Sequence, residues 1–357
     1  MNHRAIWGGS LLTLFCVTVL LSFFNFAVPG LLWLVNLAAC FAVVVVIAIQ
    51  KQMVWFVVRR VIEAVAVIWV IASLTFLLLR LLPGGPFDSE KALAPEVKAN
   101  IEAKYNLNAP LLEQYGTYIW GLTKGDMGQS YKYIGRNIWD IISETLPNSI
   151  QLGVYALLVA YLLGIPLGVI AASKHGSWVD SVLMIFAISG VSLPSFLVAP
   201  IFIMLFSFQL GWLEPALWDG PTYYILPMFV LGIRPAAVIA RLTRASVLEV
   251  IRSDYIRTAR AKGLENRVIL FKHVLRNSLI PVLTLSGPLV AAILTGSFVI
   301  EQIFAIPGVA KHLVVSVTNR DYPLILGTTL LFSIMLVVAN LITDLMIAAF
   351  DPRVKMS

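Results

Sequence analysis

Long apolar runs separated by short polar segments dominate the chain. A helix needs about 20 apolar residues to cross the hydrocarbon core of a bilayer. Eight runs approach or exceed this length, at residues 9–28, 31–50, 60–82, 148–172, 181–206, 224–247, 279–302 and 325–349. The pattern predicts an all-α polytopic membrane protein with eight spans. Pro29-Gly30 is a turn signal, so the first two runs are expected to form a tight helical hairpin.

The composition agrees with a protein that uses lipid as its solvent. Hydrophobic residues make up 59% of the chain and charged residues 13%, and the mean hydropathy is +0.88. Cys16 and Cys40 lie in apolar runs and are interpreted as small buried hydrophobes. The sequence from Leu37 to Cys40 resembles a lipoprotein cleavage box. The apolar run continues to Ile49, however, which favours a spanning helix.

Positive charge is concentrated in one internal segment. The chain has 26 Lys and Arg against 19 Asp and Glu, a net charge of +7, and residues 241–276 hold nine of these cations against three acids. Short loops rich in Lys and Arg stay in the cytoplasm. If every run spans, this segment and both termini are cytoplasmic, and residues 83–147 lie outside. The rest of the chain is nearly neutral and predicts no nucleic-acid surface.

The outer segment is predicted to be structured. One helix is expected at residues 95–105 and a second at 111–122, closed by Lys124-Gly125. Residues 138–142 fit two interpretations: an amphipathic turn with Trp139 at the membrane surface, or a lead-in to the next span.

The basic segment is expected to form two helices around a glycine turn. Ser253 or Asp254 can cap a helix that runs to Lys262, and Gly263 suits its end. The second helix leads into the next span, and its predicted apolar face comprises Val268, Phe271, Val274, Leu275 and Ser278.

Two interpretations of the first helix of this segment remain. It is either an orientation anchor beside anionic lipids or a docking surface for another protein. The small residues Thr258, Ala259 and Ala261 favour docking, because an anchor needs only charge.

The spacing of Arg257-Thr-Ala259, three residues, then Gly263 resembles the cytoplasmic loop motif of ABC importer permeases that depend on a binding protein. The form is that of the peptide and nickel branch, with Arg257 in place of glutamate and Arg276 where many members have proline. The sequence from Pro95 to Tyr115 is most similar to the oligopeptide permease B subunit. Further matching motifs are Phe56–Arg60, Leu81–Pro86, Gly164–Gly168, Val191–Ser195, Arg241–Arg244, Asn319–Pro323 and Asp351–Arg353.

The resemblance implies a six-helix type I permease domain over residues 53–357 in the inner membrane. It also implies four kinds of partner: a second homologous permease, two ATPase subunits, an external peptide-binding protein and the lipid bilayer. Residues 268–276 would carry motion into the spans. The residues implied to couple to the ATPase are Asp254, Tyr255, Arg257, Thr258, Ala259, Arg260, Ala261, Lys262 and Gly263.

Oligopeptides are the implied substrate, with dipeptides, opines, metal chelates and antibiotic peptides as alternatives. A self-contained secondary transporter is a less favoured function, because neither inverted repeats nor several mid-membrane ionisable residues are evident. The chain lacks a phosphate-binding loop, so ATP chemistry must come from a partner.

Residues 1–52 depart from the family pattern. They are interpreted as an added transmembrane hairpin. The competing explanation is that translation starts at Met53.

No catalytic, cofactor or metal site is predicted, because the four histidines are scattered and have no ligand spacing.

Arg234 is the charge that most needs an explanation, since it lies in an apolar run. It is predicted either to line the substrate pathway or to pair with a carboxylate for structure. Gly232 and Pro235 suggest an interrupted helix there, and Glu301 is interpreted as interfacial.

Overall fold

The structure is a computed structural model that describes residues 54–82, 85–87, 105–294 and 296–350. The predicted amino-terminal hairpin with Cys16 and Cys40 lies outside the described residues, as does almost all of the helix predicted at 95–105. The described ranges fold into helices joined by turns and contain no β-strand. The predicted all-α class is therefore confirmed.

The helices are numbered here in chain order, and two stretches are π-helical. The amino-terminal half contains α1 Val54–Leu81, α2 Leu111–Thr123, α3 Ile138–Ser173, α4 Trp178–Ser192, α5 Ser195–Phe202 and π1 Ile203–Gln209. The second half contains α6 Pro221–Ile251, α7 Asp254–Ala261, α8 Asn266–Val268, π2 Ile269–Val274, α9 Leu275–Ser278, α10 Ile280–Leu294, α11 Phe298–Ile303, α12 Ala310–Thr318 and α13 Tyr322–Phe350.

Among the described residues, five helical stretches are long and apolar enough to cross a membrane, one of which, Ile280–Ile303, comprises α10 and α11. A bent pair would make six. The pair is α4 with α5 and π1, and it bends by 107°. The run predicted at 181–206 is therefore not one straight helix. Leu193 has extended backbone (φ −83°, ψ 122°), as expected for a residue before proline, and Pro194 begins the new direction.

The helices on either side of the turn at residues 124–137 confirm two sequence predictions. Helix α2 ends at Thr123, and Gly125 follows with φ +77°. Helix α3 starts at Ile138, so the lead-in interpretation of residues 138–142 is correct. Ile138, Ile141 and Ile142 are buried, which shows that this lead-in belongs to the protein core.

Helices α3 and α6 approach each other at glycines. A Cβ atom on Gly164 would lie 2.7 Å from the Ala236 carbonyl oxygen, and one on Gly168 would lie 2.5 Å from that of Ala240. From the other helix, a Cβ on Gly232 would lie 2.7 Å from the Ala156 carbonyl. Small residues let spanning helices pack backbone against backbone. This contact fixes α6 along α3.

The chain separates into two compact units, one of which contains described residues 54–65 and 341–350 and the other residues 66–340. In the smaller unit, Arg60 Nη2 lies 3.1 Å from Asp344 Oδ2, and Arg60 Nη1 lies 3.3 Å from Glu63 Oε2. These ion pairs account for the acids near the ends of the first and last described spans.

Adding one methyl group should lower stability at one glycine and not at another. We expect Gly168→Ala to lower the melting temperature of the purified protein, because its Cβ would overlap the Ala240 carbonyl and overpacking costs about 1–3 kcal/mol. Gly116→Ala in α2 is the matched control. Its Cβ meets nothing within 4 Å, so stability should stay equal or rise by up to about 1 kcal/mol. Equal melting temperatures for wild type and Gly168→Ala would contradict the close approach.

Candidate functional site

The predicted helix of the basic segment forms as α7. At its end, the Lys262 amide donates to the Thr258 carbonyl at 3.0 Å and the Gly263 amide donates to the Arg260 carbonyl at 2.9 Å. Gly263 has φ +76°, which other residues rarely adopt. The predicted glycine stop is confirmed. The expected side-chain cap is absent, because the Ser253 hydroxyl donates instead to the Val250 carbonyl at 2.6 Å.

One face of α7 is anchored in the protein. Ile256 is fully buried and Ala259 is 8% exposed. Both belong to an apolar cluster with residues from the ends of α3 and α6 and from π2, namely Ala172, Val247, Ile269 and Val274. Burial of an isoleucine side chain contributes about 1.5–3 kcal/mol. Helix α7 thus packs against π2 and shares one apolar cluster with the ends of two long helices.

The other face of α7 is open to solvent. Arg257 Nη1 lies 3.6 Å from Asp254 Oδ1, but both side chains are so exposed that the ion pair contributes little to stability. Ala259 was expected to help form the docking surface, but it packs inward, where its small size permits close packing. All the other residues predicted to couple are exposed: Asp254, Tyr255, Arg257, Thr258, Arg260, Ala261, Lys262 and Gly263. The result is an exposed surface with three cations and one carboxylate.

A hydrogen bond ties this exposed face to the following helices. Asn277 Nδ2 donates to the Tyr255 hydroxyl oxygen at 2.8 Å. The bond joins α7 to α9, across the glycine turn. Sequence reasoning missed Asn277, because a contact between residues so far apart leaves no periodic signal.

The segment after the turn is helical, but its buried face differs from the predicted one. Val274 and Ser278 are buried as predicted, but Val268 and Phe271 are exposed and Ile269 is buried. The reason is π2, in which hydrogen bonds join residues five apart, so Ile269 and Val274 fall on one side. A periodicity of 3.6 residues cannot predict this face.

A charged cluster that the sequence did not reveal joins α4 to α6. Asp180 accepts two hydrogen bonds from Arg244, from Nε at 2.6 Å and from Nη2 at 2.7 Å. The Gly176 amide donates to the same carboxylate at 3.1 Å, and His175 Nδ1 lies 3.2 Å away. The side chain of Asp180 is 6% exposed and that of Arg244 is 24% exposed. This pair, with its two hydrogen bonds, holds the start of α4 to α6 about two turns before α6 ends at Ile251.

Arg234 lies near the middle of α6, and its side chain is exposed on this chain. No hydrogen bond or ion pair joins its guanidinium to another described residue, which weakens the structural-pairing interpretation. The predicted interruption of the helix is wrong: α6 is continuous from Pro221 to Ile251. Gly232 instead serves the close contact with α3, and a spanning helix tolerates internal proline.

Glu301 is buried at 1% exposure, so the interfacial interpretation is wrong. The Ser149 hydroxyl donates to its Oε1 at 2.7 Å, and the Lys311 amide donates to its Oε2 at 3.3 Å. These bonds connect α3, α11 and α12. Hydrogen bonding of this kind compensates for burying a carboxyl group.

In the part of the chain that the structure describes, no group of three or more His, Cys, Asp or Glu side chains could hold a metal ion.

Two sequence models of one transporter family match the chain. The model of the binding-protein-dependent transport system inner membrane component matches residues 164–356. The model of the amino-terminal part of such membrane components matches residues 53–153. The matched residues include α6, which carries Arg234, and α7 with its exposed face.

Individual permeases are similar over nearly their whole length. The oligopeptide transport system permease protein OppB of Haemophilus influenzae is 44% identical over 302 residues, which cover 84% of this chain and 99% of that protein. OppB of Escherichia coli K12 is 43% identical over 302 residues, with the same coverage. The dipeptide transport system permease protein DppB of Bacillus subtilis is 43% identical over 301 residues, 84% of this chain and 98% of that protein.

Breaking the pair between Asp180 and Arg244 should destabilise the protein. Removing one partner of a buried pair costs about 3–5 kcal/mol, and we expect about 2–3 kcal/mol for Asp180→Asn because Arg244 keeps some solvent. Thermal unfolding in detergent measures this. The exchange Asp180→Arg with Arg244→Asp should recover part of the loss by restoring opposite charges. If Asp180→Asn unfolds at the wild-type temperature, the pair is not a structural joint.

Proposed function

Because the chain belongs to the family of inner membrane components of binding-protein-dependent transport systems, we propose that it is the permease subunit that couples an ATPase to peptide import. It is a multi-pass ABC importer permease similar to OppB and not an enzyme. In the proposed complex it forms half of the pathway beside a second homologous permease. Two ATPase subunits drive the cycle, and an external binding protein delivers the peptide.

The observation that carries the coupling role is the two-sided construction of α7. Its exposed face offers cations and small side chains, including Arg257 and Ala261, which an ATPase surface could approach closely. Its buried face is fixed through Ile256 to the ends of α3 and α6. A lipid anchor would need the charges but not the second attachment. A helix that must transmit a displacement needs both.

The direction of transmission follows from the contacts. Ile256 and Ala259 share an apolar cluster with the ends of two long helices, and the hydrogen bond from Asn277 to Tyr255 joins α7 to α9. A displacement of α7 would therefore reach α3 and α6 through this cluster. The proposed route through residues 268–276 would act in parallel, with Ile269 and Val274 as its contact points.

We also propose that Arg234 faces the substrate pathway. Its exposure on this chain and its lack of a partner among the described residues support this over purely structural pairing.

The proposed substrates are oligopeptides, with dipeptides as the second candidate because DppB of Bacillus subtilis is about as similar as the OppB proteins.

Bulk on the exposed face of α7 should block ATPase docking. We expect Ala261→Trp to reduce both the ATPase that copurifies with the tagged permease and peptide uptake, each by about tenfold or more, because the added ring occupies the contact surface. Ala261→Ser is the matched control, and it should behave like wild type. Expression and melting temperature should be equal in both variants, since Ala261 is exposed.

Normal ATPase recovery and normal uptake with Ala261→Trp would remove α7 from the docking surface. A variant that keeps the ATPase but hydrolyses ATP without uptake would place α7 in transmission and not in docking.

Substrate length can be measured with the assembled importer and its binding protein. We expect unlabelled peptides of three to five residues to compete with a labelled tripeptide at concentrations about tenfold lower than dipeptides. Stronger competition by dipeptides would assign the chain to dipeptide import instead.

A further inference from the structure

Most of the surface of α6 is covered by other helices of the same chain. Gly232 lies against α3, Ala237 lies near Gly190 of α4, and Ile239 packs in a cluster with Val282 of α10. Near its beginning, α6 places Val230 in a further cluster that includes residues of α5 and α11. Other helices of the chain thus contact α6 on two faces and along much of its length.

The remaining side of α6 is a narrow stripe that carries two arginines. Arg234, Arg241 and Ala245 are exposed, with the partly buried Val238 between them. Their spacings of three and four residues place them on one face of a helix. The two arginines are separated by about 10 Å along the axis, given a rise of 1.5 Å per residue. Neither guanidinium has a hydrogen bond or ion pair with another described residue.

This stripe contrasts with a surface suited to lipid. Helix α1 exposes only apolar side chains along its apolar middle and carboxyl-terminal part: Val65, Val67, Trp69, Val70, Leu74, Leu77 and Leu78. An arginine facing hydrocarbon in mid-bilayer is costly, so such residues face water-filled cavities or protein. Arg234, near the middle of α6, therefore faces an aqueous or protein-lined space. Arg241 lies about two turns nearer the basic segment on the same face of the helix.

We propose that Arg234 and Arg241 bind the C-terminal carboxylate of the peptide in succession as it moves along the pathway. The proposal rests on the function proposed above. A pathway for peptides of varied sequence can rely only on groups that every peptide has, and the terminal carboxylate is the one with negative charge. Guanidinium binds carboxylate with two parallel hydrogen bonds. The spacing of about 10 Å corresponds to about three extended residues, so a short peptide moves one length between the two sites.

The test compares free-acid and C-terminally amidated forms of one labelled tripeptide. Uptake by the complete importer is measured for wild type, Arg234→Met and Arg241→Met at matched expression. We expect each Met variant to lower free-acid uptake about tenfold and amidated uptake less than about twofold. Any preference of the binding protein for one form cancels in the ratio of variant to wild type. Arg234→Lys and Arg241→Lys, which keep the charge, should retain most of the discrimination.

Arg136→Met is the matched control, because this guanidinium lies outside the spans, 2.5 Å from Glu144. It should leave both uptakes unchanged.

Two results would overturn the proposal. An equal loss of both peptide forms in the Met variants would show that the arginines pair with a carboxylate of the second permease. No loss of either form would show that the stripe does not contact substrate. If the wild-type importer takes up neither form, the proposed peptide-import function fails first, which distinguishes that failure from failure of the arginine sites.

Discussion

The backbone contact between α3 and α6 determines where the functional surfaces of this protein lie. Gly164 and Gly168 on one helix and Gly232 on the other remove the side chains that would hold the two axes apart. Once α6 is pressed onto α3, its orientation about its own axis is fixed. Ala236 and Ala240 then face α3, and Arg234 and Arg241 must point away from it. The same orientation directs Arg244 towards Asp180 on α4.

The end of α6 also fixes α7, so the position of the basic helix depends on the same contact. Val247 near the end of α6 and Ala172 at the end of α3 belong to the same apolar cluster as Ile256. A force applied to α7 therefore acts on two helices that are already in backbone contact, and they would move together. The pair of Asp180 with Arg244 extends this unit to α4. A polar pair suits this joint, because it breaks and re-forms at a defined geometry, whereas an apolar contact can slide.

Periodic and chemically simple features of the fold were predictable from the sequence. The places of the long apolar helices α1, α3, α6 and α13, the glycine stop at Gly263 and the exposed character of Arg257 follow from apolar runs, backbone freedom and charge. The errors arise where tertiary packing overrides a local pattern. Pro235 did not interrupt α6, because the surrounding helices support it. The π-helical turn at residues 269–274 shifted the buried face, and Glu301 is buried because Ser149 and a loop amide satisfy its carboxyl group.

Ion pairs between distant residues leave no signal in a single sequence, which explains why the arginines of α6 could not be told apart before the structure was known. Arg241 and Arg244 belong to one short motif, yet Arg244 is held by Asp180 while Arg241 has no partner among the described residues. Three residues on a helix turn a side chain by about 300°, and here that difference separates two environments. The arginine with an internal counter-ion stabilises the chain. The arginine without one, like Arg234, has no counter-ion among the described residues, so the charge that these residues leave uncompensated on α6 is the charge that we propose for binding.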